Sequence, residues 1–81
     1  MSRYDEDKVS KAIADVINKS KEPLETTEVL AQATTKSGAD ITRPVLFYRL
    51  NNLRAEGVIH GKQIGSGKGN WVWWGEGLTS E

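Results

Sequence analysis

Between Thr42 and Asn52 the chain reads TRPVLFYRLNN. A hydroxyl, two guanidiniums, a phenol, a phenyl ring and two amides crowd into that short stretch. Each guanidinium is a planar fork of donors suited to phosphates and to guanine. Each asparagine both donates and accepts, so it can pair with a base edge or a peptide group. The rings of Phe47 and Tyr48 present large contact areas. None of these groups is a nucleophile with a base beside it. This is the chemistry of recognition, not of bond-making.

Elsewhere catalysis finds little to use. His60 is the only histidine and there is no cysteine, so no Cys/His pair and no His-rich or thiolate metal set can be assembled. Asp5 and Asp7 fall where a first helix begins, and the helix dipole accounts for them. The run Gly65-Ser66-Gly67-Lys68-Gly69-Asn70 superficially resembles a phosphate-binding loop. It lacks a glycine five residues before the Gly67-Lys68 pair, has Gly69 where Ser or Thr is needed, and opens no helix. We expect no enzyme, no metal and no cofactor.

The recognition groups must sit on a helix of about residues 43–56, by the signals at its ends. Thr42 is a hydroxyl N-cap, Pro44 falls in the first turn where its missing N–H is not needed, and Gly57 ends the helix. Leu46, Leu50 and Leu53 share one face. With Leu50 at 0°, Asn51 lies near ~100°, Pro44 near ~120°, Tyr48 near ~160° and Asn52 near ~200° from the helical repeat. Phe47 and Arg49 take the two flanks, and Val45 also lies outside the leucine stripe. A merely solvated face would be filled with Lys, Glu and Ala.

The pattern Ile41-Thr42-Arg43-Pro44, then Leu50 and Leu53, then Glu56-Gly57-Val58-Ile59 resembles the recognition helix of winged helix–turn–helix transcriptional regulators. The resemblance, with its flanking elements, covers nearly the whole chain. It implies an α+β, mostly α, fold of three helices with a small antiparallel β-hairpin wing. It implies a sequence-specific DNA-binding regulator, with this helix in the major groove and the hairpin on the backbone. In that role Thr42, Arg43, Lys62 and Lys68 hold phosphates, and Asn51 and Asn52 read base edges. Phe47 and Tyr48 meet a thymine methyl or the sugar–phosphate wall, Pro44 shares their face, and Arg49 reaches a phosphate or guanine.

The remaining chain supplies the scaffold of a single domain, 1–81. Val9, Ala12, Ile13, Val16 and Ile17 stripe a first helix of about 4–19, with Ser2 and Asp5 set for a capping box. Lys19 to Pro23 is a loop, and Leu24 forms a short strand residue or plugs the core. Thr26 or Thr27 caps a second helix of about 27–36 whose inward positions are Val29, Leu30 and Ala33. Thr34 to Asp40 is then a longer turn than the family's usual one. Either the second helix runs on by a turn or the turn carries an insertion. The wing spans about 58–74, with Val58 to Ile64 and Trp71 to Trp74 as strands, followed by a tail, 75–81. Alternation puts Trp71 and Trp73 on one face and Val72 and Trp74 on the other. Which tryptophan is exposed stays open.

The net charge is zero, and its distribution is uneven. Residues 1–40 hold six Lys/Arg and eight Asp/Glu, a balance of −2. Residues 41–74 hold Arg43, Arg49, Arg54, Lys62 and Lys68 against Glu56 alone, a balance of +4. Positive charge thus gathers where double-stranded DNA would lie. The weak overall basicity keeps a second reading open, a winged-helix module for protein contact in a larger transcription or replication assembly. Val45, Phe47, Tyr48 or an exposed tryptophan would anchor it. No apolar run is long enough for a membrane span and the N-terminus is too acidic for a signal peptide, so the sequence predicts a cytoplasmic protein with no membrane partner.

Overall fold

The structure, a computed structural model, describes residues 2–66 and 70–76, with side chains described from Lys8 onward. The elements follow in the order α1 (Ser2–Lys19), β1 (Leu24–Glu25), α2 (Thr26–Ser37), α3 (Arg43–Ala55), β2 (Ile59–Gln63) and β3 (Trp71–Gly75). The fold is α+β and mostly helical, with one antiparallel sheet in the order β1-β3-β2. The side chains of the expected Ser2–Asp5 capping box are not among those described, and Lys68 at the hairpin tip and the tail beyond Glu76 lie outside the described residues. Among the described residues no helix is long and apolar enough to cross a membrane.

The start of α2 differs from expectation in an informative way. Neither Thr26 nor Thr27 caps it. The N-cap is Glu25, whose carboxylate accepts from the Glu28 backbone while Glu28 Oε1 accepts from the Glu25 N–H at 2.9 Å, a reciprocal box. Thr26 is buried, and its hydroxyl is taken by another partner described below. At the other end the helix runs on to Ser37, the longer-helix alternative of the two the sequence leaves open and within one residue of the expected end at 36. Gly38 then adopts φ 73°, and its N–H bonds the Thr34 carbonyl at 2.9 Å. Ser37 Oγ accepts from the Ala39 N–H at 3.1 Å, which ties down the short link to α3.

The ends of α3 match their signals. The Thr42 hydroxyl accepts from Val45 N at 3.4 Å and Pro44 falls in the first turn. Gly57 takes φ 81° just past the helix, a conformation that costs other residues ~1–2 kcal/mol.

Ile13, Val16 and Ile17 of α1, Val29 and Ala33 of α2, and Leu46 and Leu50 of α3 form the core. Leu24, Ile41, Ile59 and Trp73 complete it, with Leu30 and Leu53 packed half-buried at its margin. Trp73 is fully buried at the centre of the sheet, paired with Leu24 on one side and Gly61 on the other. Its indole N–H donates to Thr26 Oγ1 at 2.9 Å, which satisfies the one polar atom the ring carries into the core. Phe47 meets it edge-on with centroids 6.3 Å apart, and Trp71 stacks on it at 5.2 Å.

Gly61 is a glycine because of this ring. A Cβ there would sit 2.5 Å from Cε3 and Cζ3 of Trp73, and a fully buried indole has nowhere to retreat. Gly61→Ala is expected to destabilise the fold by about 1–3 kcal/mol, the usual cost of overpacking. Leu50→Ala, which opens a cavity, is expected to cost about 2–5 kcal/mol. Urea denaturation measures both, and a loss under about 0.5 kcal/mol in either variant, the size of an ordinary surface change, would contradict this packing.

Candidate nucleic-acid interface

The solvent side of α3 is a strip of Pro44, Val45, Tyr48, Asn51, Asn52 and Ala55, all exposed. Tyr48 is 66% accessible and Val45 43%. The helix carries Arg43, Arg49 and Arg54 and no acidic residue. Thr42 caps the N-terminal end of the strip. Pro44, Tyr48, Asn51 and Asn52 are therefore brought together on one surface of α3 with Thr42 at its N-terminal end, while Arg43 is exposed but directed at Phe47 and Thr27.

The other predicted contacts are placed elsewhere. Phe47 is half-buried and faces Trp73. Arg49 is half-buried too, and its Nη1 donates to Ser10 Oγ of α1 at 3.1 Å. Both lie on the flanks of α3, as the helical repeat demanded, but the flanks of a packed helix touch its neighbours. Lys62 is exposed on β2. Strand alternation sets it on the sheet face opposite the buried Ile59 and Trp73, away from α3. The same far face carries Val72, Trp74 and His60. There the His60 and Trp74 rings stack with centroids 6.1 Å apart and His60 Nε2 pairs with Glu76 Oε1 at 2.8 Å. Solvent-exposed pairs of this kind contribute little to stability.

The structure adds contacts, and one group, that the sequence did not single out. The Arg43 guanidinium lies 5.9 Å from the Phe47 ring centroid and its Nη1 reaches Thr27 Oγ1 at 3.4 Å. Arg54, at the opposite end of α3, has its guanidinium 5.4 Å from the centroid of Trp71. A polar cleft of about 290 Å³ opens where the first turns of α2 and α3 meet the hairpin. Glu25, Thr27, Arg43, Ile64, Asn70 and Trp71 line it. Arg54 was legible only as a positive charge; its platform comes from a residue seventeen positions later that no local spacing connects to it.

A larger groove of about 600 Å³ runs between α1 and α2, lined by residues such as Val16, Lys19, Ala31 and Lys36. None of the predicted contacts borders it. Among the described residues no group of three or more His, Asp or Glu is placed to hold a metal ion. No family model, curated protein or solved structure matches the chain.

The division between strip and flank has a direct check in folding stability. Tyr48→Ala and Asn51→Ala are expected to change it by no more than about 0.5 kcal/mol, the surface range. Phe47→Ala removes an aromatic ring packed on the core and is expected to lower it by about 2–4 kcal/mol, below the cost at a fully buried site. Equal losses in all three would mean that α3 is rotated from the orientation described.

Proposed function

We propose that this chain is a winged helix–turn–helix domain that binds double-stranded DNA as part of a transcriptional regulator. In this reading α3 enters the major groove and the β2–β3 hairpin lies along the backbone. The observation that carries it is the composition of the α3 strip. A phenol and two amides stand exposed on a helix that has three arginines and no acid. Amides can pair with adenine, and a helix is the element the major groove admits. The element order supports the reading as well, since α3 is followed by a hairpin whose second strand returns beside β1. No catalytic step is assigned to the domain. We place it in the cytoplasm, a reducing compartment that suits a chain with no cysteine.

Within this reading Asn51 and Asn52 read base edges, Tyr48 contacts a thymine methyl or the groove wall, and Thr42 and Arg43 hold phosphates. Phe47 and Arg49 act by fixing α3. One observation favours a protein partner instead: Val45 and Tyr48 are exposed large hydrophobic side chains on α3, and aromatic residues are frequent anchors of protein interfaces.

Titration of labelled duplexes at several salt concentrations separates the two. Wild-type affinity for DNA is expected to fall steeply with salt as counterions are released. Asn51→Ala is expected to lose about 1–3 kcal/mol on a selected site and little on scrambled DNA, the mark of a base contact. Arg43→Ala is expected to weaken both alike and to reduce the salt slope by about one unit. Absence of salt-dependent binding to any duplex at low ionic strength would transfer the α3 strip to a protein partner.

A further inference from the structure

Arg54 differs from the other two arginines of α3. Arg49 is directed at α1, and Arg43 already donates to Thr27. Arg54 is exposed in the last turn of the helix, with its guanidinium over the Trp71 ring. Among the described residues no carboxylate lies within ion-pair range of it, and no group accepts a hydrogen bond from its guanidinium. Its five N–H donors are unspent.

The platform beneath it is rigid. Trp71 is half-buried and stacks nearly parallel on Trp73, at 14° between planes. Trp73 is in turn fully buried and bonded to Thr26. A guanidinium within about 6 Å of such a ring gains a cation–π attraction that uses none of its N–H donors. An arginine normally loses much rotamer freedom when it engages a ligand. Here part of that loss is already taken in the free protein, which is the meaning of preorganisation. A planar cation held over a ring, with no internal acceptor, fits a tetrahedral oxyanion contacted by two parallel N–H groups.

We infer that Arg54 is a clamp for a backbone phosphate of bound DNA, and that Trp71 is the positioning residue that holds it. The inference rests on the DNA-binding reading above. Arg43 on Phe47 and Arg54 on Trp71 then stand at the two ends of α3. They stand eleven positions apart, about 16 Å along the helix axis. The recognition strip lies between two phosphate-holding ends, and the second end is joined to the hairpin through an indole. A strand of DNA gripped by Arg54 would thus feel the position of the hairpin as well as that of α3.

The test uses the full chain and a mixed-sequence DNA duplex of about two helical turns, titrated at several salt concentrations with Arg54→Ala, Arg54→Lys, Trp71→Leu and the double variant. Thermal denaturation of each confirms that the titrated protein is folded. Arg54→Ala is expected to flatten the salt slope by about one unit, since one phosphate contact is lost. Arg54→Lys keeps the charge and therefore the slope, but is expected to lose several-fold in affinity because a lysine is a point charge without the fork. Trp71→Leu is expected to weaken binding to a similar degree in the Arg54 protein and hardly at all in the Arg54→Lys background. That non-additivity is a readout a purely structural tryptophan would not produce. Wild-type binding together with an Arg54→Ala slope equal to wild type overturns the clamp and leaves the DNA reading standing. Additive losses for Trp71→Leu and Arg54→Lys overturn the role of Trp71. No salt-dependent binding by the wild type removes both the DNA reading and the clamp.

Discussion

Trp73 is the side chain on which the other elements are registered. Its indole N–H is buried, and a buried donor left without an acceptor costs about 1–3 kcal/mol. The first residue of α2 supplies that acceptor, Thr26 Oγ1. The requirement turns Thr26 inward and leaves the capping of α2 to Glu25 and Glu28. On the other side of the strand the ring lies across Gly61, a position where no Cβ fits. Phe47 of α3 abuts the ring edge and Trp71 covers it. One residue thus sets the positions of β1, β2, α2 and α3 relative to one another.

That arrangement fixes the rotation of α3 about its own axis. Phe47 and Arg49 are two residues apart, about 200° around a helix. One is drawn to the sheet by Trp73 and the other to α1 by Ser10. With Leu46 and Leu50 buried and both flanks engaged, the sector bearing Tyr48, Asn51 and Asn52 is turned to solvent. Residues on the flanks serve the candidate interface by holding the exposed strip still. An interface on a rigid element loses less entropy on binding than one on a loop.

The two sheet faces have different roles for the same reason. The inner face, with Ile59, Trp71 and Trp73, is directed at the helices, while His60, Lys62, Val72 and Trp74 occupy the outer one. A lysine on the hairpin therefore does not automatically join the surface of α3. Arg54 does, because it leaves the last turn of α3 toward the inner-face ring of Trp71.

Periodicity and end signals in the sequence by themselves determined the three helices, the hairpin, the leucine face of α3 and the outward placement of Tyr48, Asn51 and Asn52. Those are local properties: 3.6-residue and two-residue repeats, a threonine cap, and glycines at φ 73° and 81° where helices end. Alternation also established that Trp71 and Trp73 share a face. Only the tertiary structure decided which face is inward, and with it that Trp73 is buried and Trp74 is directed outward. It also decided that Thr26 bonds an indole forty-seven residues away instead of capping its helix. The same applies to Phe47 and Arg49, whose contacts lie on β3 and α1, and to the pairing of Arg54 with Trp71. Each of these depends on which partner a side chain meets across the core, and partners distant in sequence leave no repeat in the chain for a reader to find.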